Sequence, residues 1–426
     1  MTKLRNTFRL IPVLALLAAG SANATNGYFP HGYGMKAKGM GGASVASTDN
    51  AFGGANNPAA SAWAGNRFDA GIDIFMPVRS VERSGSAAGL NGAVESDGKS
   101  FLVPELGYNR VINNKMGIGV TVYGNGGMNT DFAGGQIPAG SCGPAAANLL
   151  CGSGKVGIDM MQLIVAPTLG YKLSDAHSVG VSPLIIHQRF KADGLQMFSS
   201  MSASPANVSS NGYDTSNGVG VRLGYLGKLG SDLTVGASFS PRTKMSKFSK
   251  YAGLFADSGS FDIPANYTLG VNWQASSALS VAVDYERIQY SGVKSVGSPS
   301  TNAAPLGSAG GPGFGWADVN VWKIGAQWQM NPKWVLRAGF NVGSNPVQSR
   351  DVTFNMVAPG VITKQYTIGG TYAMSPSTEL SFAYMLAPSN SVSGSSLFNG
   401  FMGGMAGNET VRMKQSSLGV AMSFKF

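Results

Sequence analysis

Leu418-Gly419-Val420-Ala421-Met422-Ser423-Phe424-Lys425-Phe426 closes the chain, and its alternation decides the fold. Large apolar side chains hold every even position, while Gly419, Ala421, Ser423 and Lys425 between them are small or polar. A period of two places these sets on opposite faces of a strand. In a water-soluble sandwich the apolar face would turn to a core. In a transmembrane barrel it meets lipid, and the small polar face lines the lumen. An aromatic last residue at this spacing resembles the signal by which the barrel-assembly machinery recognises its clients.

The pattern recurs throughout the chain. Phe68, Ala70, Ile72, Ile74, Met76 and Val78 share one face of an expected strand, with Arg67, Asp69, Asp73 and Arg79 on the other. Alternation resumes from Phe101 to Arg110 and turns at Asn113-Asn114, where asparagine tolerates φ > 0. Short connections follow at 174–176, 230–232, 275–277, 331–333 and 375–377. Long ones lie at about 80–99, 130–156, 193–217, 246–264, 291–317, 343–362 and 388–409. Short periplasmic turns alternating with long outer loops describe an antiparallel barrel of about fourteen strands. Trp273, Trp322, Trp328, Trp334, Tyr171, Tyr225, Tyr267, Tyr372 and Tyr384 fall near the strand ends, as interfacial girdles would.

The beginning of the chain is consistent with export to such a membrane. Lys3, Arg5 and Arg9 precede an apolar run from Leu10 to Ala19, and Ala22-Asn23-Ala24 offers small residues for cleavage. Residues 1–24 are therefore expected to be a signal peptide, 25–65 a segment before the barrel, and 66–426 the barrel. Charged residues make up 12% of the chain, about half the usual soluble share, and glycine numbers 60. No later stretch reaches the ~18 apolar residues of a spanning helix. The net charge of +10 comes without a like-charge block or basic–aromatic clusters, which argues against nucleic acid. It suits a surface facing lipopolysaccharide and a lumen with scattered cations. Cys142 and Cys151, the only cysteines, are expected to close a loop disulfide in an oxidising envelope. No metal site or cofactor motif accompanies them.

Residues 25–65 do not alternate and are rich in Gly, Ala and Asn, a composition suited to filling a lumen as a plug. Here the sequence resembles the FadL/TodX family of outer-membrane transporters for long-chain fatty acids and aromatic hydrocarbons. The resemblance rests on residues 32–43 (GYGMKAKGMGGA), Asn57-Pro58-Ala59, residues 124–130 (GNGGMNT), residues 253–256 (GLFA) before 261–264 (FDIP), and residues 311–316 (GPGFGW). It implies a fourteen-stranded barrel whose hatch ends at Asn57, Pro58 and Ala59. It also implies lateral exit where the third strand bends, at Gly124, Asn125, Gly126 and Gly127. Glycine within a strand weakens pairing and permits a bulge, which allows such a bend independently.

Leu195, Met197 and Phe198 in one loop, with Leu254 and Phe255 in another, form either an exposed substrate-catching surface or mutual loop packing. The family's basic residues for a substrate carboxylate align here with Gly194 and the neighbourhood of Pro312. Arg189, Lys191 and His187 are the nearest substitutes, and alternation is read as placing them toward the lumen. A diffusion porin is the alternative function; it calls for a wide aqueous lumen with a charged constriction. An enzyme is not expected, because His31, His177 and His187 sit in no hydrolase motif. The expected protein is thus a monomeric transporter for hydrophobic small molecules, embedded in the bacterial outer membrane.

Overall fold

A computed structural model describes residues 26–426. The expected signal peptide lies outside the described residues. Among the described residues fifteen antiparallel strands form one sheet, and β15 (Asn408–Lys425) pairs with β1 (Arg67–Ser84), so the sheet closes. One strand, β2 (Gly92–Glu95), is a short arm that pairs with the outer end of β1 alone. The remaining fourteen form the barrel. Closure removes the sheet edges, the condition for burying backbone polar groups in lipid.

The strands are β3 (Phe101–Val111), β4 (Met116–Asn129), β5 (Gly157–Lys172), β6 (His177–Asp193), β7 (Asp214–Leu229) and β8 (Leu233–Ser240). They continue with β9 (Asn266–Gln274), β10 (Leu279–Ile288), β11 (Val319–Asn331), β12 (Trp334–Gly343), β13 (Lys364–Ser375) and β14 (Thr378–Ser395). Short turns occur at every expected connection. At the first of them the Asn113 side-chain oxygen accepts from the amides of Lys115 and Met116.

The two faces separate as the alternation requires. Ile72 and Ile74 on β1 and Leu418, Val420 and Phe424 on β15 point outward and exposed. Arg67, Asp69, Asp73 and Arg79 on the other face of β1 are buried inside. Register pairs Phe68 with Phe424, and their rings stack at 6.4 Å. Phe426 stacks on Tyr108 at 6.0 Å, extending the aromatic girdle at the turn end.

The N-terminal segment occupies the barrel, anchored to the wall on many sides. Its close fit depends on glycines in the strands. A Cβ on Gly224 would come within 2.1 Å of the Asn57 side-chain oxygen, and one on Gly180 within 2.3 Å of the Ala59 amide. Lys38 of the segment forms ion pairs with Asp73 and Glu105 of the wall, each at 3.1 Å. Lys36 pairs with Glu379 at 3.0 Å. Buried pairs of this kind contribute modestly when intact, but breaking one costs about 3–5 kcal/mol because a charge is stranded.

Candidate functional site

Two apolar cavities lie above the hatch, toward the long loops. The outer is lined by Phe190, Leu195, Phe198, Leu254, Phe255 and Phe314, among others. Its two hydroxyl-bearing residues are already engaged. Ser295 donates to the Ser260 carbonyl at 2.5 Å, and Thr353 donates to Glu409 at 2.5 Å. The inner cavity is lined by Phe75, Arg79, Gly127, Met128, Trp316 and Met413, among others. Val357 borders both.

Beneath them an aromatic cluster holds the first described residues. The Tyr290 hydroxyl accepts from the amide of Tyr28 at 3.1 Å and donates to the Asn26 carbonyl at 2.6 Å. Tyr28 lies against Tyr290, Phe261 and Trp316, with ring centroids 5.1–6.1 Å apart.

The third barrel strand, β4, carries the glycine run. From Gly117 to Val122 it pairs with β3, but outward from Tyr123 that ladder stops. Tyr123–Asn129 remain paired with β5, with a register shift between Gly124 and Gly126. On the other side, Phe101–Glu105 of β3 pair with β1 and no longer with β4. Between β3 and β4 the wall thus has a window. Its inner end is the Leu106–Val122 pair. Its outer end is closed where the Asp97 amide donates to the Asp131 carbonyl at 2.8 Å and the Asp131 amide to Ser96 Oγ at 2.9 Å.

Beside this window, Gly124 to Met128 are all buried, so the strand has lost its lipid-facing side there. The bend is held from within by the N-terminal segment. Tyr33 donates its hydroxyl hydrogen to Asn125 at 3.0 Å, and the Asn125 amide reaches Gln162 at 3.0 Å. A Cβ on Gly126 would lie 2.1 Å from the Tyr28 carbonyl oxygen, so only glycine permits this approach.

Asn57 is fully buried in the hatch. Its Nδ2 donates to the carbonyls of Val45 at 2.7 Å and Tyr225 at 2.8 Å, and its oxygen accepts from the Ala59 amide at 3.1 Å. The last bond caps the 3₁₀ turn Pro58–Ala62, with proline at its favoured first position. Ala59 sends its carbonyl to Ser178 on β6, and Trp63 donates to the same hydroxyl.

One expectation needs correction, and one open alternative is decided. Arg189, Lys191 and His187 do not face the lumen. On β6 the buried inward set is Leu184, Ile186, Gln188, Phe190 and Ala192. The three candidates lie on the outer face with Ile185, which is exposed. Arg189 and Lys191 flank the Tyr213 ring at 4.1 and 5.4 Å, and His187 bonds Asn217 at 2.8 Å. The physical reason is that the lumen above the hatch is apolar, so charge no longer marks the inward face. The loop residues divide as well. Leu195, Phe198 and Phe255 are buried in loop packing around the outer cavity, whereas Met197 is exposed. Mutual packing is therefore the arrangement for all but Met197, with Leu254 partly covered.

Cys142 and Cys151 are joined in the loop after β4, beside Leu150 of the outer cavity wall. His31 is buried in the hatch, and His177 contacts the Tyr225 hydroxyl at a short turn. Among the described residues no group of acidic, His and Cys side chains is arranged to hold a metal. Arg79 also borders the inner cavity, and among the described residues it has no ion-pair partner, a feature that is not visible in sequence.

The fold is shared with solved transporters. The toluene transporter TodX of Pseudomonas putida superposes with a TM-score of 0.67 at 17% identity, covering 93% of this chain and 99% of that one. A FadL homologue of Pseudomonas aeruginosa gives 0.67 at 14% identity, with 94% and 100% covered. The Ralstonia pickettii toluene transporter TbuX gives 0.64 at 19%, with 93% and 99% covered. No curated relative matches by sequence. The family model for outer membrane transport proteins of the OMPP1/FadL/TodX type matches residues 15–426, and the chain belongs to that family.

Proposed function

We propose that this outer membrane transport protein takes up hydrophobic compounds and releases them sideways through the β3–β4 window. The observation that carries the reading is the placement of apolar space beside that window. Val357 stands between the outer cavity and the inner one, and the inner one is lined by Gly127 and Met128 of the bent strand. A compound moving along this line stays in contact with apolar side chains and reaches lipid without crossing the hatch. Passage through the hatch would break the Lys38–Asp73–Glu105 cluster and the Asn57 bonds. At about 3–5 kcal/mol for each stranded buried charge, that route is much the more costly.

The outer cavity selects by shape and apolar contact, because its few polar groups are already paired. Both long-chain fatty acids and aromatic hydrocarbons satisfy it. Lipopolysaccharide surrounds the outer half of the barrel, and the outward Arg189 and Lys191 suit its phosphates. The barrel-assembly machinery inserts the chain through its terminal Phe426. The protein works as a monomer without a cofactor and without catalysis.

Growth of a deletion strain on oleate and on toluene as sole carbon sources tests the reading. Restored growth on either from the plasmid-borne gene is expected. Equal growth of the deletion strain and its parent on both would contradict it.

A further inference from the structure

Arg67, Arg79 and Arg83 share the lumen face of β1, yet their surroundings differ. Arg67 pairs with Asp69 at 3.0 Å and Arg83 with Glu409 at 2.5 Å. Among the described residues no carboxylate pairs with Arg79, although it is only 3% exposed. Its Nη2 donates to Ser96 Oγ at 3.0 Å and to the Gly98 carbonyl. Its Nε is buried and has no hydrogen-bond partner. The guanidinium carbon sits 5.6 Å from the centroid of the Phe101 ring.

Among the described residues Arg79 is also the only cation lining the inner cavity, whose other walls are mostly apolar. The neighbouring Asn129, at the outer end of β4, has a side-chain oxygen that is likewise buried and unpaired. A Cβ on Gly98 would come within 2.6 Å of that oxygen and 3.3 Å of Arg79 Nη2, so glycine keeps this polar corner open. A buried guanidinium without a counter-ion carries a desolvation penalty that an anion would offset. The planar donor fork fits a carboxylate in particular. Rotation of the Asn129 amide turns donors toward the same anion.

We infer that Arg79 receives the carboxylate of an amphiphilic monocarboxylic acid in the inner cavity, at the window through which the molecule leaves. The aliphatic or aromatic body lies against Phe75, Met128, Trp316 and Met413. The inference deepens the uptake reading and rests on it, naming the substrate class that the outer cavity leaves open. It also places the headgroup site on β1, away from the outward-facing cations of β6.

The test is equilibrium binding of decanoate and 1-decanol to the purified full-length protein in nanodiscs at neutral pH. Charge-assisted hydrogen bonds predict a preference for decanoate of about tenfold or more. Arg79→Met should abolish the difference between the two ligands, and Arg79→Lys should keep part of it. Gly98→Val, which retains the arginine but crowds the corner, should weaken decanoate more than decanol. It covers the case in which the methionine variant fails to assemble. Equal binding of the two ligands by the unmodified protein, or a preference that survives Arg79→Met, overturns the inference. Uptake is measured separately. Carboxylate preference without transport would sink the uptake reading alone, and hydrocarbon transport without preference would sink only the assignment of Arg79.

Discussion

Asn57 in the hatch donates its side-chain amide to the backbone carbonyl of Tyr225, 2.8 Å away on β7. A second bond to Val45 and the cap on Ala59 make this one side chain the tie between two parts of the plug and the wall. Asn57→Ala removes both of these side-chain bonds and the cap. The expected cost is about 2–4 kcal/mol. Heat-modifiable mobility should shift to lower temperature, and planar bilayers should show conductance that the unmodified protein lacks. Unchanged thermal behaviour with a still-silent bilayer would show that the plug is held elsewhere.

The loop bridge gives an independent prediction. Mass spectrometry of unreduced protein from native outer membranes should show Cys142 bonded to Cys151 and no free thiol. Replacing both by serine should loosen the wall at Leu150 and weaken ligand binding in the outer cavity, while the barrel still assembles. Two alkylatable thiols in native membranes would contradict the bridge.

His31 predicts a pH response of the plug. Burial first, and the nearby Lys38 charge second, push its pKa down to about 3. The unfolded chain takes up a proton near pH 6.5 while the folded one stays neutral. Stability is therefore complete above about pH 6.5 and falls as pH drops, by about 1.4 kcal/mol per unit, until the folded group also titrates. His31→Gln should flatten that part of the stability profile measured by heat modification between pH 6.5 and 4. An equally steep profile in the variant would place the acid sensitivity elsewhere.

Removing Phe426 tests the assembly expectation. Its amide donates to the Asn66 carbonyl and its ring stacks on Tyr108, so the finished barrel loses little. Export should continue while insertion falls several-fold, seen as less heat-modifiable protein in the outer membrane. Normal insertion would remove the terminal aromatic from the recognition signal.

The barrel was legible in sequence because lipid and a polar lumen make opposite demands on successive residues. Asp69 and Asp73 against Ile72 and Ile74 leave only one orientation for β1. On β6 the same logic misplaces Arg189 and Lys191. The lumen there is an apolar cavity walled by Phe190, so both faces are greasy and charge instead marks the outer membrane surface. The loop residues were ambiguous for a related reason: composition does not say whether Phe198 and Phe255 meet water or each other. Arg79 stayed hidden because Arg67 and Arg83 look the same in sequence, and only the position of Asp69 and Glu409 in space separates them.

Lateral release is the central claim, and uptake by a Gly126→Val/Gly127→Val double variant tests it most directly. Valine at 126 meets the Tyr28 carbonyl at 2.1 Å, and β-branched residues favour a straight, paired strand. Heat-modifiable mobility and binding at the outer cavity should persist. Uptake of radiolabelled hydrophobic substrate by intact cells should fall by about tenfold or more, as expected when about 1.4 kcal/mol or more is added to the exit barrier. A double variant that assembles normally and takes up substrate at the unmodified rate would contradict exit through the window and leave passage through the hatch as the route.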